Sequence, residues 1–200
     1  QTPVRIIFYD GHPFRVLLDY GHNPAAINMI GKFVDQMQVS GRKTAVVTFP
    51  GDRTDELIEE SVKLLPKHFT HFIVKQDDNR RGRPSGEVAE LIRSLLIKHG
   101  TKAENIEIIL DEQEAVNKAL SSAVEGDYVV VFADKVSRCW KQITSFKSTG
   151  NVRVKDVDTR ADDHLLERGE VDLIADAISN ATMRTDKRGV IIEIEEELND

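Results

Sequence analysis

Short apolar runs alternate along this chain with longer amphipathic stretches, and a chain patterned in that way has few ways to fold. The runs Arg15–Tyr20, Lys43–Phe49, His71–Val74, Ile106–Leu110 and Asp127–Ala133 are rich in Val, Ile and Phe and read as buried strands. Between them, Pro24–Gln38, Thr54–Leu65, Ser85–His99 and Glu112–Val124 repeat apolar residues at three and four, and Val136–Phe146 continues the series. The first of these presents Ile27, Ile30, Val34 and Met37 on one face, with Pro24 suited to the opening turn. The third presents Val88, Leu91, Ile92, Leu95 and Leu96, and Gly100 supplies its stop. Strands joined by helices of this length predict an α/β domain: a Rossmann-like, open, mostly parallel sheet with helices on both faces and right-handed crossovers.

The pattern changes after Gly150. Asn151–Ala161 alternates weakly, Val171–Ala181 reads as a helix, Thr185–Gly189 as a polar turn and Val190–Ile194 as a short strand. The organisation expected is an α/β domain over residues 1–150 and a C-terminal extension over 151–200, packed on it or semi-independent.

Composition narrows the function classes. Hydrophobic residues make up 40% and charged residues 30% of the 200, a globular balance with enough apolar side chains for a core. The formal charge of −7 speaks against a general nucleic-acid binder. No apolar stretch approaches the ~20 residues of a membrane span, and no secretory leader is visible. A lone cysteine, Cys139, excludes an internal disulfide, and a reducing cytoplasm is the expected location. Cys139 beside Trp140 reads as an idle thiol rather than a nucleophile, and His68 and His71 as surface histidines rather than a metal pair. The chain opens on Gln1 rather than Met, as a piece of a longer polypeptide is expected to.

In open parallel sheets ligands bind beyond the carboxyl ends of the strands, which selects five loops here. The first is Asp19-Tyr20-Gly21-His22-Asn23-Pro24, where an aspartate ends a strand and Asn23 is a natural helix cap. The second is Pro50-Gly51-Asp52-Arg53, with Arg53 suited to phosphate and Asp52 to a cation or amine. The third runs from Gln76 to Glu87 and holds Asp77, Asp78, Arg80, Arg81, Arg83 and Glu87. Such a long charged loop reads either as a solvated surface or as a ligand site, its arginines able to take phosphate or carboxylate by paired hydrogen bonds. The loops Asp111–Glu114 and Ala133–Arg138 complete the set. Neither Gly-x-x-x-x-Gly-Lys-Ser/Thr nor Gly-x-Gly-x-x-Gly occurs in the sequence, so the chain carries no phosphate-binding loop of those kinds.

Taken in order, these loops resemble the C-terminal domain of Mur-type ligases over roughly residues 3–145. The motif Arg81-Gly82-Arg83 followed by Gly86-Glu87 resembles the cyanophycin synthetase branch in particular, as do Asp111-Glu112-Gln113-Glu114-Ala115 and the strand after Gly126-Asp127. Arg5 stands where the family carries a hinge arginine, although the Pro-Gly that precedes it there is replaced by Pro3-Val4.

The resemblance implies an ATP-dependent carboxylate–amine ligase that works through an acyl phosphate. It implies that a central domain of the same chain holds the phosphate-binding loop and Mg²⁺, and that the isolated C-terminal domain is inactive. For the branch named, the incoming amino acid is arginine and the acceptor a polyaspartate-type backbone. The implied catalytic residues are Asp19, His22 and Asn23; those toward the nucleotide are Arg5, Asp19 and Arg53. Asp52, Asp78, Arg81, Arg83 and Glu87 would line the amino-acid side, with Asp78 or Glu87 on the guanidinium and Arg81 on the α-carboxylate. No metal site of its own is expected, nor any nucleic-acid or membrane partner; a homo-oligomer is compatible. The rivals are a Mur-type ligase for a different amino acid and a non-catalytic domain that binds a nucleotide or a partner.

Overall fold

The computed structural model describes residues 4–19, 21–37, 39–147, 181–186 and 189–194. The elements are β1 (Val4–Tyr9), β2 (Arg15–Asp19), α1 (Pro24–Gln36), β3 (Lys43–Val47), α2 (Asp55–Val62), β4 (His71–Val74), α3 (Glu87–Lys98), β5 (Ile106–Ile108), α4 (Glu112–Ser122), β6 (Tyr128–Phe132), α5 (Val136–Ser145), β7 (Ala181–Asp186) and β8 (Gly189–Ile194). Among the described residues the strands form one sheet in the order β5-β4-β3-β6-β2-β1-β8-β7. From β5 to β2 all pairings are parallel, and from β2 to β7 all are antiparallel.

The central strand explains the apolar runs. On β6 the residues Tyr128, Val130 and Phe132 face one core, and Val129 and Val131 face the other. A strand covered on both sides needs apolar side chains at every position, so strict alternation disappears. Helices α1, α2 and α3 cover the first face through Ile27, Ile30, Val34, Ile58, Val62, Ile92 and Leu96. Helices α4 and α5 cover the second through Val116, Leu120, Cys139 and Ile143. Helices on both faces of a mostly parallel sheet are the expected Rossmann-like α/β architecture.

Two strands went unread in the sequence. Strand β1 runs antiparallel to β2 as the first arm of a hairpin. Strand β7 begins at Ala181, so the residues up to Asp186, read there as the end of a helix and the start of a turn, are extended. They are held by pairing with β8, which itself pairs with β1. Cross-strand partners supply what weak local patterning does not. The rest of the stretch expected as Val171–Ala181 helix and weak alternation lies outside the described residues.

His68 is another correction. It is packed inside, its ring against Gly31 of α1, where an added Cβ would come within 2.1 Å of a ring carbon. Its Nδ1 meets Asp35 at 2.6 Å, and Asp35 also accepts from Lys43 at 2.8 Å. Among the described residues no group of three or more His, Cys, Asp or Glu side chains is placed to hold a metal ion.

The chain passes from β2 over β6 to β3, moves outward through β4 to β5, and returns through α4 to β6. The direction of winding therefore reverses between β3 and β6. That reversal opens a crevice at the carboxyl ends of these two strands.

Candidate functional site at the carboxyl edge of the sheet

Asp19 ends β2 and is 1% exposed. Its Oδ2 accepts the Gly21 amide at 2.7 Å, and its backbone carbonyl accepts the Ala133 amide at 2.8 Å beyond β6. The turn is tight: a Cβ on Gly21 would stand 2.6 Å from that carboxylate oxygen and 2.6 Å from the Ala26 Cβ. Asn23 caps α1 by accepting the Ala26 amide at 2.8 Å, and Pro24 fills the opening turn. His22 lies between them. Burial lowers its pKa to about 4, aided by Lys75 and Arg53 and opposed by Asp134 and Glu112. The imidazole is therefore neutral at pH 7, and those four charges identify the corner it shares.

The second and third loops are locked together by Arg83. Its Nε donates to the Gly51 carbonyl at 3.0 Å, and one Nη donates to the Arg53 carbonyl at 2.8 Å and to Asp55 at 2.7 Å. Its other Nη meets Glu87 at 2.9 Å, one turn along the chain. Arg81, in the left-handed region at φ 49°, donates to Asp52 at 2.6 Å. Gly51 is pressed so closely that a Cβ would lie 2.3 Å from the Arg80 carbonyl oxygen. Gln76 fixes the far end by accepting from the Gly86 amide at 2.7 Å and the Ser85 hydroxyl at 3.1 Å. The structure thus brings Asp52, Arg81, Arg83 and Glu87 together as expected, and joins them to one another.

Beneath these loops sits a charge network that the sequence did not disclose. Lys75 follows β4 directly and is fully buried. Its Nζ lies 2.8 Å from Asp134 Oδ1 and 3.1 Å from Glu112 Oε1. Glu112, also buried, accepts the Asp134 amide at 2.7 Å and is bridged by Arg138. Arg138 reaches on to Asp78 at 2.9 Å, and Lys135 stands 3.5 Å from the same carboxylate. The Asp78 amide donates back to Asp134 Oδ2 at 3.1 Å. Hydrogen bonding to Arg138 holds the Asp78 carboxyl below the usual range. Asp78 therefore closes an internal network of three cations and three carboxylates. Cys139 lies beside it, its thiol pushed up to about 12 by burial and by Glu112, an idle group as expected.

Two polar groups of this edge stand apart from the network. Thr48, 1% exposed at the end of β3, has a hydroxyl with no hydrogen-bond partner among the described residues. Asp77 is half-buried; its Oδ1 accepts the Asn79 amide at 2.8 Å, and no Lys, Arg or His among the described residues pairs with it. Burial raises its pKa, against the Asn79 hydrogen bond and with the charge of Asp134. Asp77 lines a cleft of about 210 Å³ between the second and third loops, with Phe49, Pro84 and Val88 as apolar walls and Gln76 and Arg80 at its polar edge. Arg5 lies on β1 opposite Glu193, two strands from β6. A lysine set directly after a buried apolar strand was the available signal for Lys75; Glu112, Asp134 and Arg138 carry none that local pattern reveals.

Known proteins share this arrangement. The family described as Mur ligase, glutamate ligase domain, matches residues 5–134. A cyanophycin synthetase of Synechocystis sp. is 39% identical over 150 residues, 75% of this chain and 17% of that protein. One of Nostoc sp. is 41% identical over 143 residues, 72% of this chain and 16% of the relative. A solved structure of UDP-N-acetylmuramoyl-L-alanyl-D-glutamate--2,6-diaminopimelate ligase superposes with a TM-score of 0.53 at 25% identity, covering 68% of this chain and 26% of that one. The E. coli FolC structure in complex with DHPP and ADP has the same fold, with a TM-score of 0.52 at 19% identity over 68% of this chain and 30% of that one. The chain thus spans about one-sixth of the length of the cyanophycin synthetases it matches. With two loops clasped beside a switch-point crevice and a family match across most of its length, this chain belongs to the Mur ligase C-terminal domain family.

Proposed function

We propose that this domain is the amine-side part of an ATP-dependent ligase of the cyanophycin synthetase type, adding arginine to the β-carboxylate of a polyaspartate-type acceptor in the cytoplasm. The observation that carries the reading is the juxtaposition of two half-sites. One is the crevice corner of Asp19, His22 and Arg53; the other is the adjoining cleft between the second and third loops. Likeness to cyanophycin synthetases supplies the reaction class.

In this reading the γ-phosphoryl group of ATP passes to the acceptor carboxylate, giving an acyl phosphate and ADP. The amine of the incoming amino acid attacks the acyl carbon, phosphate leaves, and a proton is released as the amide forms. A central domain of the full-length protein supplies the phosphate-binding loop and the Mg²⁺ that accompanies ATP. Arg5, Asp19 and Arg53 face the nucleotide. His22 and Asn23 shape the same corner: a neutral imidazole offers hydrogen bonds without adding a charge that must be desolvated. Arg81, Arg83, Asp52 and Glu87 build the amino-acid side by holding its two loops in register, and Asp78 ties that side to the buried network. Preorganised groups of this kind accelerate the reaction only when both halves are assembled, so the isolated domain is inactive.

The test is phosphate release by the full-length gene product with ATP, Mg²⁺, an aspartate-rich primer and each amino acid in turn. Arginine-dependent release that falls at least ~100-fold in Asp19→Ala is the expected outcome. Release driven by another amino acid keeps the ligase and discards arginine. No amine-dependent release at all leaves a non-catalytic binding domain.

A further inference from the structure

Among the acidic side chains of the second and third loops, the carboxylates divide into those already matched by a cation and one that is not. Asp52 is held by Arg81, Asp55 and Glu87 by Arg83, and Asp78 by Arg138 and Lys135. Asp77 has a single backbone amide on one oxygen and no cation among the described residues. It also lies half-buried in the cleft, beside the apolar surfaces of Phe49, Pro84 and Val88. A half-buried carboxylate without a counter-charge is unfavourable on its own and is relieved by a ligand cation. An apolar wall next to it suits an aliphatic stem that ends in charge.

Resting on the ligase reading above, we infer that Asp77 is the specificity carboxylate for the side-chain cation of the incoming amino acid, selecting a guanidinium over a neutral isostere. An amino acid brings two cationic groups, and the chemistry separates them. The α-amine must attack as a neutral nucleophile, and a paired carboxylate would hold it protonated. The side-chain cation has no such demand and gains from a charge-assisted hydrogen bond. Asp78, placed on the guanidinium in the sequence reading, is spent on the internal network instead. The α-carboxylate is matched by Arg80, which borders the same cleft and makes no printed side-chain bond to a carboxylate of the domain.

The experiment uses the full-length gene product and measures phosphate release against arginine, lysine and citrulline, the last being the uncharged isostere of arginine. For Asp77→Asn the KM for arginine rises about 10- to 100-fold while the KM for ATP stays within twofold, and the preference for arginine over citrulline collapses by a similar factor. Asp77→Glu restores part of that preference, which a merely structural role would not do. An unchanged arginine-to-citrulline ratio in Asp77→Asn overturns the assignment, whether or not overall activity falls. The ligase reading fails separately, by absence of amine-dependent release from the wild type. If the wild type uses lysine and loses it on Asp77→Asn, the role of Asp77 stands and arginine does not. A wild type that prefers a neutral or acidic amino acid refutes both.

Discussion

Replacing Lys75 by Met should destabilise the domain by about 3 kcal/mol at pH 7, because it leaves two carboxylates near a vanished cation. Removing one partner of a buried ion pair costs roughly 3–5 kcal/mol, since the remaining charge stays buried. The structure argues for the lower end. Glu112 keeps Arg138 and the Asp134 amide, and Asp134 keeps the Asp78 amide. For a chain of this size that loss lowers Tm by roughly 6–12 °C. The deficit should depend on pH. Burial disfavours the Glu112 charge, yet Lys75, the Asp134 amide and Arg138 outweigh it and hold the carboxyl below its usual range. A carboxyl depressed in the folded state stabilises above its unfolded pKa of about 4.3 and ceases to as pH falls through the folded value. The gap between Lys75→Met and wild type should therefore narrow below about pH 4. Denaturant unfolding followed by circular dichroism, from pH 7 down to pH 3.5, measures it. Adding Glu112→Gln should recover at least about 1 kcal/mol of the loss. A Lys75→Met protein within about 1 kcal/mol of wild type, or a deficit that ignores pH, would refute the view that this network holds the loops.

Gly51→Ala puts a methyl group 2.3 Å from the Arg80 carbonyl oxygen, so the second and third loops must part. The expected result in the full-length protein is an amino-acid KM raised about tenfold or more with the ATP KM little changed, read from phosphate release. The buried His22, lowered to about 4, gives a second pH signature. Between its unfolded pKa of about 6.5 and its folded one, the unfolded chain binds the extra proton, so stability falls by roughly 3 kcal/mol as pH drops through that window. His22→Gln should flatten that fall in a pH series of chemical denaturation; an unaltered slope would show that the imidazole is not buried neutral.

The parallel sheet was legible because its strands are covered on both faces. His71–Val74 and Tyr128–Phe132 must be apolar throughout, and the helices between them must keep one apolar stripe. Strand β1 was not, because its partners are a hairpin arm and a strand at the far end of the chain. Ala181–Asp186 misled for the same reason, being extended through pairing rather than through its own pattern. Within the site, Asp19 and the Arg81–Glu87 motif stood out as local strings. Lys75, Glu112, Asp134 and Arg138 did not, since they come from separate loops and mean something only once β4, β6, α4 and α5 bring them together. The same limit explains why Asp77 and Asp78 looked interchangeable. They are neighbours in sequence, and only Arg138 and Lys135, delivered by α5 and the loop before it, distinguish the paired carboxylate from the cleft one.

The central claim is that this domain completes a ligase that activates a carboxylate as its acyl phosphate. The direct test is oxygen transfer. An aspartate-rich primer labelled with ¹⁸O in its side-chain carboxylates is incubated with the full-length protein, ATP, Mg²⁺ and arginine, and the released phosphate is analysed by mass spectrometry. One ¹⁸O in each phosphate formed, dependent on arginine, is the predicted result. Phosphate free of label, or labelled equally without any amine, would contradict the account.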